Sequence, residues 1–151
     1  IQRSGSMWLL FYTGVTYPFE APTPETLPKG GDRVYALAWG MKRIGLATAT
    51  SPEGPWTRSD APILEPRSGA WDNGITSNAA PWVLPDGTIR MLYKSCHRNG
   101  HSGGPFGIGL AAANSWSEPF HRLSGEPVIR LARGHIEDPF LWFDGNTFHC
   151  I

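Results

Sequence analysis

Hydrophobic residues fall in short runs of four to seven, and turn-forming residues separate one run from the next. Runs of this length that are rich in aromatic and β-branched residues are typical of strands. In the middle of the chain they predict four strands, at residues 81–84, 88–94, 107–112 and 120–123. Asp86-Gly87 predicts a tight turn after the first strand, because glycine tolerates the positive φ that hairpin turns require. A long loop is expected between the second strand and the third.

This strand pattern repeats along the chain. IGLATAT at residues 44–50 returns as IGLAAAN at residues 108–114. A second series links PWVLPDG at residues 81–87 to PFLWFDG at residues 139–145, at a similar offset. Four antiparallel strands in a repeat of about 60 residues describe one blade of a β-propeller.

The predicted fold class is therefore all-β, a β-propeller made of four-stranded antiparallel blades. Residues 1–151 would form a single partial domain of about two and a quarter blades. The first blade (1–66) would lack its inner strand, the second (67–132) would be whole, and residues 133–151 would start a third. Because an open ring leaves unpaired strand edges, the remaining blades are expected from missing sequence or from another chain.

Composition supports a folded, turn-rich domain. The 151 residues include 18 glycines and 14 prolines, together with 7 Trp, 4 Tyr and 7 Phe, which a disordered chain would lack. Thirteen Lys and Arg residues balance 13 Asp and Glu residues, so no surface for nucleic acid or for an anionic membrane is predicted. No apolar run approaches the roughly 20 residues of a membrane span. Cys96 and Cys150 form neither a disulfide framework nor a CxxC metal pair.

Several segments carry recognisable signatures. They are YTG at residues 12–14, IGLATATSPEGPW at 44–56 with its copy at 108–120, APWVLPDG at 80–87, and EDPFLWFDG at 137–145. Together they resemble the five-bladed β-propeller glycoside hydrolases, the group that includes glycoside hydrolase family 43. The resemblance implies a glycosidase that acts on an oligo- or polysaccharide without a cofactor or metal, in the secretory pathway or outside the cell.

The same resemblance implies a catalytic residue. In that family an Asp at the head of an innermost strand, often before proline, supplies the catalytic carboxylates of successive blades, and a Glu acts as general acid. Asp138-Pro139 matches this pattern, and the adjacent Glu137 is a second candidate. The corresponding position in the preceding repeat is Ala80, so a further carboxyl is expected from outside this segment. Because proline disfavours the helical region in the residue before it, Asp138 is expected to be extended, and partly buried near the funnel. The alternative is a carboxylate that only accepts backbone N–H bonds at a blade corner.

The topology also predicts which loops border that carboxyl. The loop after the second strand of a blade lies on the same face as the head of its first strand, so loops 17–30 and 96–106 are expected beside Asp138. Amides, a guanidinium and aromatic faces suit sugar hydroxyls and sugar C–H surfaces. The candidate substrate-binding residues are Trp71, Asp72, Asn78, His97, Arg98 and His135. The alternative for Trp71 is packing between blades, and for Arg98 a solvated loop charge.

Three other motifs fit the repeat better as structure than as sites. Glu53, in Glu-Gly-Pro, is interpreted as a surface turn residue, because its repeat partner lies in the turn before an outermost strand. GIGLAA at residues 107–112 matches a loose dinucleotide fingerprint but is itself a predicted strand. Cys96, His97 and His101 have no fourth ligand nearby, so no metal is expected there.

Two function classes remain. The first is a glycoside hydrolase with Asp138 as one carboxyl of its site. The second is a propeller that binds glycans or builds an extracellular assembly without catalysis. Asp138-Pro139 and the polar loops favour the first class, and Ala80 favours the second. We expect the enzyme.

Overall fold

The structure, a computed structural model, describes residues 1–15, 23, 25, 38–99 and 102–151. In these residues nearly all regular structure is antiparallel β, with one helical turn at residues 38–40, and no helix is long and apolar enough to cross a membrane. The all-β prediction is confirmed. The strands are β1 Gln2–Ser4, β2 Met7–Val15, β3 Lys42–Ala49, β4 Thr57–Arg58, β5 Ser77–Val83, β6 Ile89–Asn99, β7 Ser102–Ala113, β8 His121–Arg122, β9 Ile129–Arg130, β10 Leu141–Phe143 and β11 Phe148–Cys150.

The described strands form three sheets. The first has the order β1-β2-β3-β4, and the second has the order β5-β6-β7-β8, with β9 also paired to β7. A hairpin of β10 and β11 forms the third. Strand β5 contacts β1, β2 and β3 of the first sheet and also β10 of the third. This arrangement is compatible with successive blades of a propeller.

The second sheet matches the predicted strands, with one correction. Strands β5 to β8 overlap the four predicted runs, and the Asp86-Gly87 turn joins β5 to β6 with a φ of +88° at Gly87. The predicted loop at 96–106 is wrong, because β6 and β7 stay paired as far as Asn99 and Ser102. Cys96 is fully buried opposite Phe106, so the inward-facing side of the hairpin continues beyond the predicted strand end. Strand β1 was not predicted either.

Each of the two larger sheets contains the same tyrosine–glycine pair. Tyr12 on β2 lies opposite Gly45 on β3, and Tyr93 on β6 lies opposite Gly109 on β7. In both sheets the tyrosine ring covers the glycine so closely that a Cβ there would overlap the ring atoms. Glycine is required at these two positions because the partner's ring occupies the space of a side chain.

The outer strands repeat as well. Arg58 pairs with Ala47 between β4 and β3, and at the same place in the second sheet Arg122 pairs with Ala111 between β8 and β7. The sequence repeat that links residues 44–50 to residues 108–114 is therefore a repeat of strand register.

A network of charged and polar side chains is buried on one face of the second sheet. Asp72 is fully buried, and its carboxylate accepts hydrogen bonds from the hydroxyl of Tyr93 at 2.9 Å, from Nε of Arg67 at 2.9 Å and from Nε of Arg122. Burial, together with the negative charge of Asp72, raises the pKa of Tyr93 to about 12. The segment before β5 is thereby fixed to the face of its own sheet. Because one carboxylate serves three donors, its loss would leave buried polar groups unpaired.

Candidate functional site

The candidate site residues whose side chains are not buried lie at one end of the sheets. This end holds the last residues of β2 and β6, the first residues of β3, β5 and β7, and the segment before β10. Two hydrogen bonds donated by backbone N–H groups connect the segment 76–78 to the first sheet here: Thr76 N donates to Lys42 O, and Asn78 N donates to the Thr13 hydroxyl at 3.0 Å. We refer to this end as the mouth.

Asp138 lies at the mouth and contacts Asn78, whose Nδ2 donates to Asp138 Oδ1. These two residues are the non-glycine positions in the described chain with a positive φ, +49° for Asn78 and +52° for Asp138. The expected extended conformation and partial burial of Asp138 are both wrong, since the residue is left-handed and exposed. Aspartate and asparagine tolerate this region better than most side chains. The residue that matches Asp138 in backbone conformation is thus Asn78 and not Ala80, because the register shifts between Ser77 and Ala80.

Glu137 is engaged by a lysine that is almost buried. Nζ of Lys94 lies 2.6 Å from Glu137 Oε2, and the Lys94 side chain is only 6% exposed. The ammonium also stands 4.8 Å from the centre of the Phe106 ring, which attracts cations through its face. His135 packs on the same ring at 4.6 Å, and its Nδ1 accepts the backbone N–H of Phe106. The Lys94–Glu137 ion pair therefore lies next to the packed rings of Phe106 and His135, which we call the aromatic wall.

A second lysine and a tryptophan extend that wall toward the first sheet. Trp39 stacks on Phe106 with ring centres 6.0 Å apart, and Nζ of Lys42 lies 5.8 Å from the centre of the Trp39 ring. Burial and the neighbouring charge of Lys94 lower the pKa of Lys42, against the opposing effect of Glu137. The residues named in this and the preceding paragraph form what we call the mouth cluster: Trp39, Lys42, Lys94, Phe106, His135 and Glu137.

Arg98 and His97 stand at the end of β6, beside the cluster. Asn73 holds the Arg98 backbone from both sides, since its Nδ2 donates to Arg98 O and its Oδ1 accepts from Arg98 N. The next residue, Gly74, donates its N–H to Cys96 O. The Arg98 guanidinium packs where a Cβ of Gly40 would stand, whereas His97 is exposed. Asn73 therefore sets the position of β6 at the mouth.

Trp71 and Asp72 require a correction. Both were expected to face substrate, but Trp71 is 7% exposed and Asp72 fully buried. Trp71 stacks on Tyr93 with ring centres 6.1 Å apart, and Asp72 is surrounded by its three donors. The alternative of packing between blades fits Trp71, because it shares a buried core with Ile44 of the first sheet and Tyr93 of the second. Neither side chain is presented at the mouth.

The remaining predictions have mixed outcomes. Glu53 lies exposed in a turn after β3, at the end of the first sheet opposite the mouth, as expected. Loop 17–30, apart from residues 23 and 25, and His101 lie outside the described residues. In the described part of the chain no three His, Cys, Asp or Glu side chains gather as a metal site.

Four members of the mouth cluster, Trp39, Lys42, Lys94 and Phe106, were not predicted from the sequence as site residues. Lys94 carried a usable signal, because a lysine inside an apolar strand is seldom buried unless it has a partner. Lys42 and Trp39 carried none, since each reaches Phe106 through tertiary packing between two sheets. Aromatic faces, two ammonium groups and two exposed carboxylates suit the recognition of a hydroxylated ring.

One solved structure similar to this chain is that of Zg3597, a family 117 glycoside hydrolase produced by the marine bacterium Zobellia galactanivorans. The similarity covers 99% of this chain and 40% of that one, with a TM-score of 0.62 and 22% sequence identity. The two proteins share the fold of this region, and the chain spans 40% of the length of that hydrolase. No protein-family model and no curated protein matches the sequence.

Proposed function

We propose that this chain is part of a glycoside hydrolase and that Asp138 supplies one carboxyl of its active site at the mouth. The observation that supports this most is the shared fold with a family 117 glycoside hydrolase across nearly the whole chain. A second support is that the exposed carboxylate of Asp138 follows Glu137, whose partner Lys94 contacts the aromatic ring of Phe106. The resemblance of the sequence to propeller hydrolases adds an extracellular or secretory setting to the proposal.

The contacts favour Asp138 over Glu137 as the reacting group. Glycoside cleavage needs one carboxyl that donates a proton and another that activates water or attacks the sugar. Glu137 is held in an ion pair with Lys94, which commits its charge, whereas the Asp138 carboxylate, among the described residues, is in no ion pair and accepts a hydrogen bond from the amide of Asn78. We assign Asp138 as the ionised base or nucleophile and Asn78 as the residue that orients it. Glu137 then positions the Lys94 ammonium against the aromatic wall.

A general acid must complete this site. Glycosidases place two carboxyl groups about 5 to 9.5 Å apart, but Glu137 is engaged by Lys94, and the matching positions in the preceding repeat are Asn78 and Ala80, which carry no carboxyl group. The second carboxyl of the proposed enzyme therefore comes from outside the described residues.

The second candidate function is a glycan-binding propeller without turnover. It is favoured by the amide at Asn78, the position that matches Asp138 in backbone conformation, where a second carboxylate would serve catalysis. In that case the mouth cluster would bind a sugar through the same aromatic faces and polar groups.

The experiment compares Asp138→Asn with Glu53→Gln on a panel of plant and algal oligosaccharides, with release of reducing sugar and calorimetric binding as readouts. Glu53 is an exposed carboxylate at the opposite end of the first sheet, which makes it a matched control. The hydrolase proposal expects Asp138→Asn to lose at least a hundredfold in rate while Glu53→Gln keeps it, because an amide can neither ionise nor transfer a proton. Undiminished hydrolysis by Asp138→Asn would falsify the assignment. Binding without turnover in the unmodified protein would favour the second candidate.

A further inference from the structure

The first sheet repeats two polar side chains of the second sheet, but among the described residues no counterpart of the residue that they bind there is found. Tyr12 occupies the register position of Tyr93, opposite a glycine, and Arg58 occupies that of Arg122, opposite an alanine. In the second sheet the tyrosine hydroxyl and the arginine both donate to Asp72.

The segment that precedes the second sheet in the chain places Asp72 against Tyr93 and Arg122. Asp72 lies shortly before the start of β5, in the segment that leads into the first strand of its sheet. Trp71, its neighbour, stacks on the Tyr93 ring, and the segment covers Tyr93 completely. One short peptide thus supplies an aromatic cover and a buried carboxylate together.

The corresponding place in the first sheet is an open cavity of about 220 Å³. Its lining includes Tyr12, Gly45 and Arg58. Within the described residues neither the Tyr12 hydroxyl nor the Arg58 guanidinium has a hydrogen-bond or ion-pair partner. Tyr12 is half-buried where Tyr93 is fully buried. Arg43, which pairs with Glu65, adds a second cation to the lining, and Asp60 adds one carboxylate.

We propose that this cavity is a carboxylate site that receives an aspartate from a peptide segment shaped like residues 67–77. The arginine would bind the carboxylate through a charge-assisted hydrogen bond, which is stronger than a neutral one, and the Tyr12 hydroxyl would donate a second. A tryptophan before the aspartate would stack on the Tyr12 ring, as Trp71 does on Tyr93. By the repeat, such a segment would lie on the face of the first sheet as residues 67–77 lie on the face of the second, so the cavity is where it docks.

The test uses the chain's own segment as the probe. A synthetic peptide of residues 67–77, RSGAWDNGITS, is titrated into the ¹⁵N-labelled protein, beside the same peptide with Asp72→Asn. The aspartate peptide is expected to shift amide resonances of β2, β3 and β4 and to bind at least tenfold more tightly than the asparagine peptide. Arg58→Gln and Tyr12→Phe in the protein should each weaken binding by threefold or more. Both variants keep the fold, because Arg58 is exposed and phenylalanine keeps the ring over Gly45.

Two further variants and a small ligand make the outcome decisive. Asp60→Asn should strengthen binding, since it removes a like charge from the cavity, and Arg133→Gln, at an exposed arginine outside the cavity lining, should change nothing. Acetate should bind far more weakly than the peptide. The proposal is overturned if no peptide binds, if the two peptides bind equally, or if acetate binds as tightly as the aspartate peptide.

Discussion

Gly109→Ala should be strongly destabilising, because the Tyr93 ring stands where the new methyl group would be. The glycine has no unusual φ, so the cost comes from overlap and not from backbone conformation. Two contacts hold the Tyr93 ring in place. Trp71 stacks on it, and its hydroxyl donates to the buried carboxylate of Asp72.

The expected magnitude follows from what must give way. Forcing a methyl group into a packed interior costs about 1–3 kcal/mol. Moving the ring also breaks the hydrogen bond from Tyr93 to a charged acceptor, worth about 1.5–3 kcal/mol. Replacing glycine by alanine restores roughly 0.4–1 kcal/mol by restricting the unfolded chain. The free energy of unfolding should therefore fall by about 1.5–5.5 kcal/mol.

Gly45→Ala is the matched control, because the same change is made in the other copy of the repeat. The Tyr12 ring also overlaps a Cβ there, but it is half-buried and its hydroxyl has no partner among the described residues, so it can swing outward. We expect a loss of only about 0–2 kcal/mol. Urea unfolding followed by tryptophan fluorescence measures both variants. Equal losses, or a larger loss for Gly45→Ala, would refute the account of the Tyr93 network.

Three other measurements test the electrostatics. The pKa of Tyr93 is raised from 10 to about 12, mainly by burial. The free energy of unfolding should therefore keep the full contribution of Tyr93 below pH 10 and decline between pH 10 and pH 12, by at most roughly 1.4 kcal/mol per pH unit. Alkaline unfolding of Tyr93→Phe should lack this decline. The pKa of Asp144 is lowered from 3.8 to about 2, first by its hydrogen bond with His149. The stabilising interactions of the ionised Asp144 carboxylate are therefore present above pH 4 and lost as the pH falls through 2. Carboxyl NMR should show the titration midpoint of Asp144 rising in His149→Phe. Burial raises the pKa of both thiols, but a maleimide should label exposed Cys150 in the folded protein and reach buried Cys96 only after unfolding.

The fold could be predicted to the extent that it repeats. The similarity of residues 44–50 to residues 108–114 was enough to match β3 with β7, because strand register depends on local alternation that both copies preserve. The extension of β6 past Lys94 could not be predicted, since Gly-rich and polar residues there are typical of a loop. Tertiary burial of Cys96 overrides that local preference.

The candidate site was predicted less well. Asp138 was singled out by its proline, but the same reasoning gave it the wrong backbone conformation, because the hydrogen bond from Asn78 belongs to another sheet. Asp72 was chosen for its polar character, and nothing local revealed that Arg122, distant in the chain, would bury it in an ion pair. Both contacts join residues that are 50 or more positions apart in the chain, and a strand pattern carries no information about which of these contacts form.

The two hydrogen bonds that hold Asn73 also affect how the protein ages. An asparagine followed by glycine is ordinarily prone to deamidation, in which the glycine's backbone nitrogen attacks the asparagine's side-chain carbonyl and closes a succinimide ring. Here that carbonyl accepts from Arg98 N, the amide nitrogen donates to Arg98 O, and the attacking nitrogen of Gly74 is itself bonded to Cys96 O. Neither reacting group can turn toward the other while β6 stays in place. The lifetime of this asparagine is therefore set by how often the strand opens and not by its sequence.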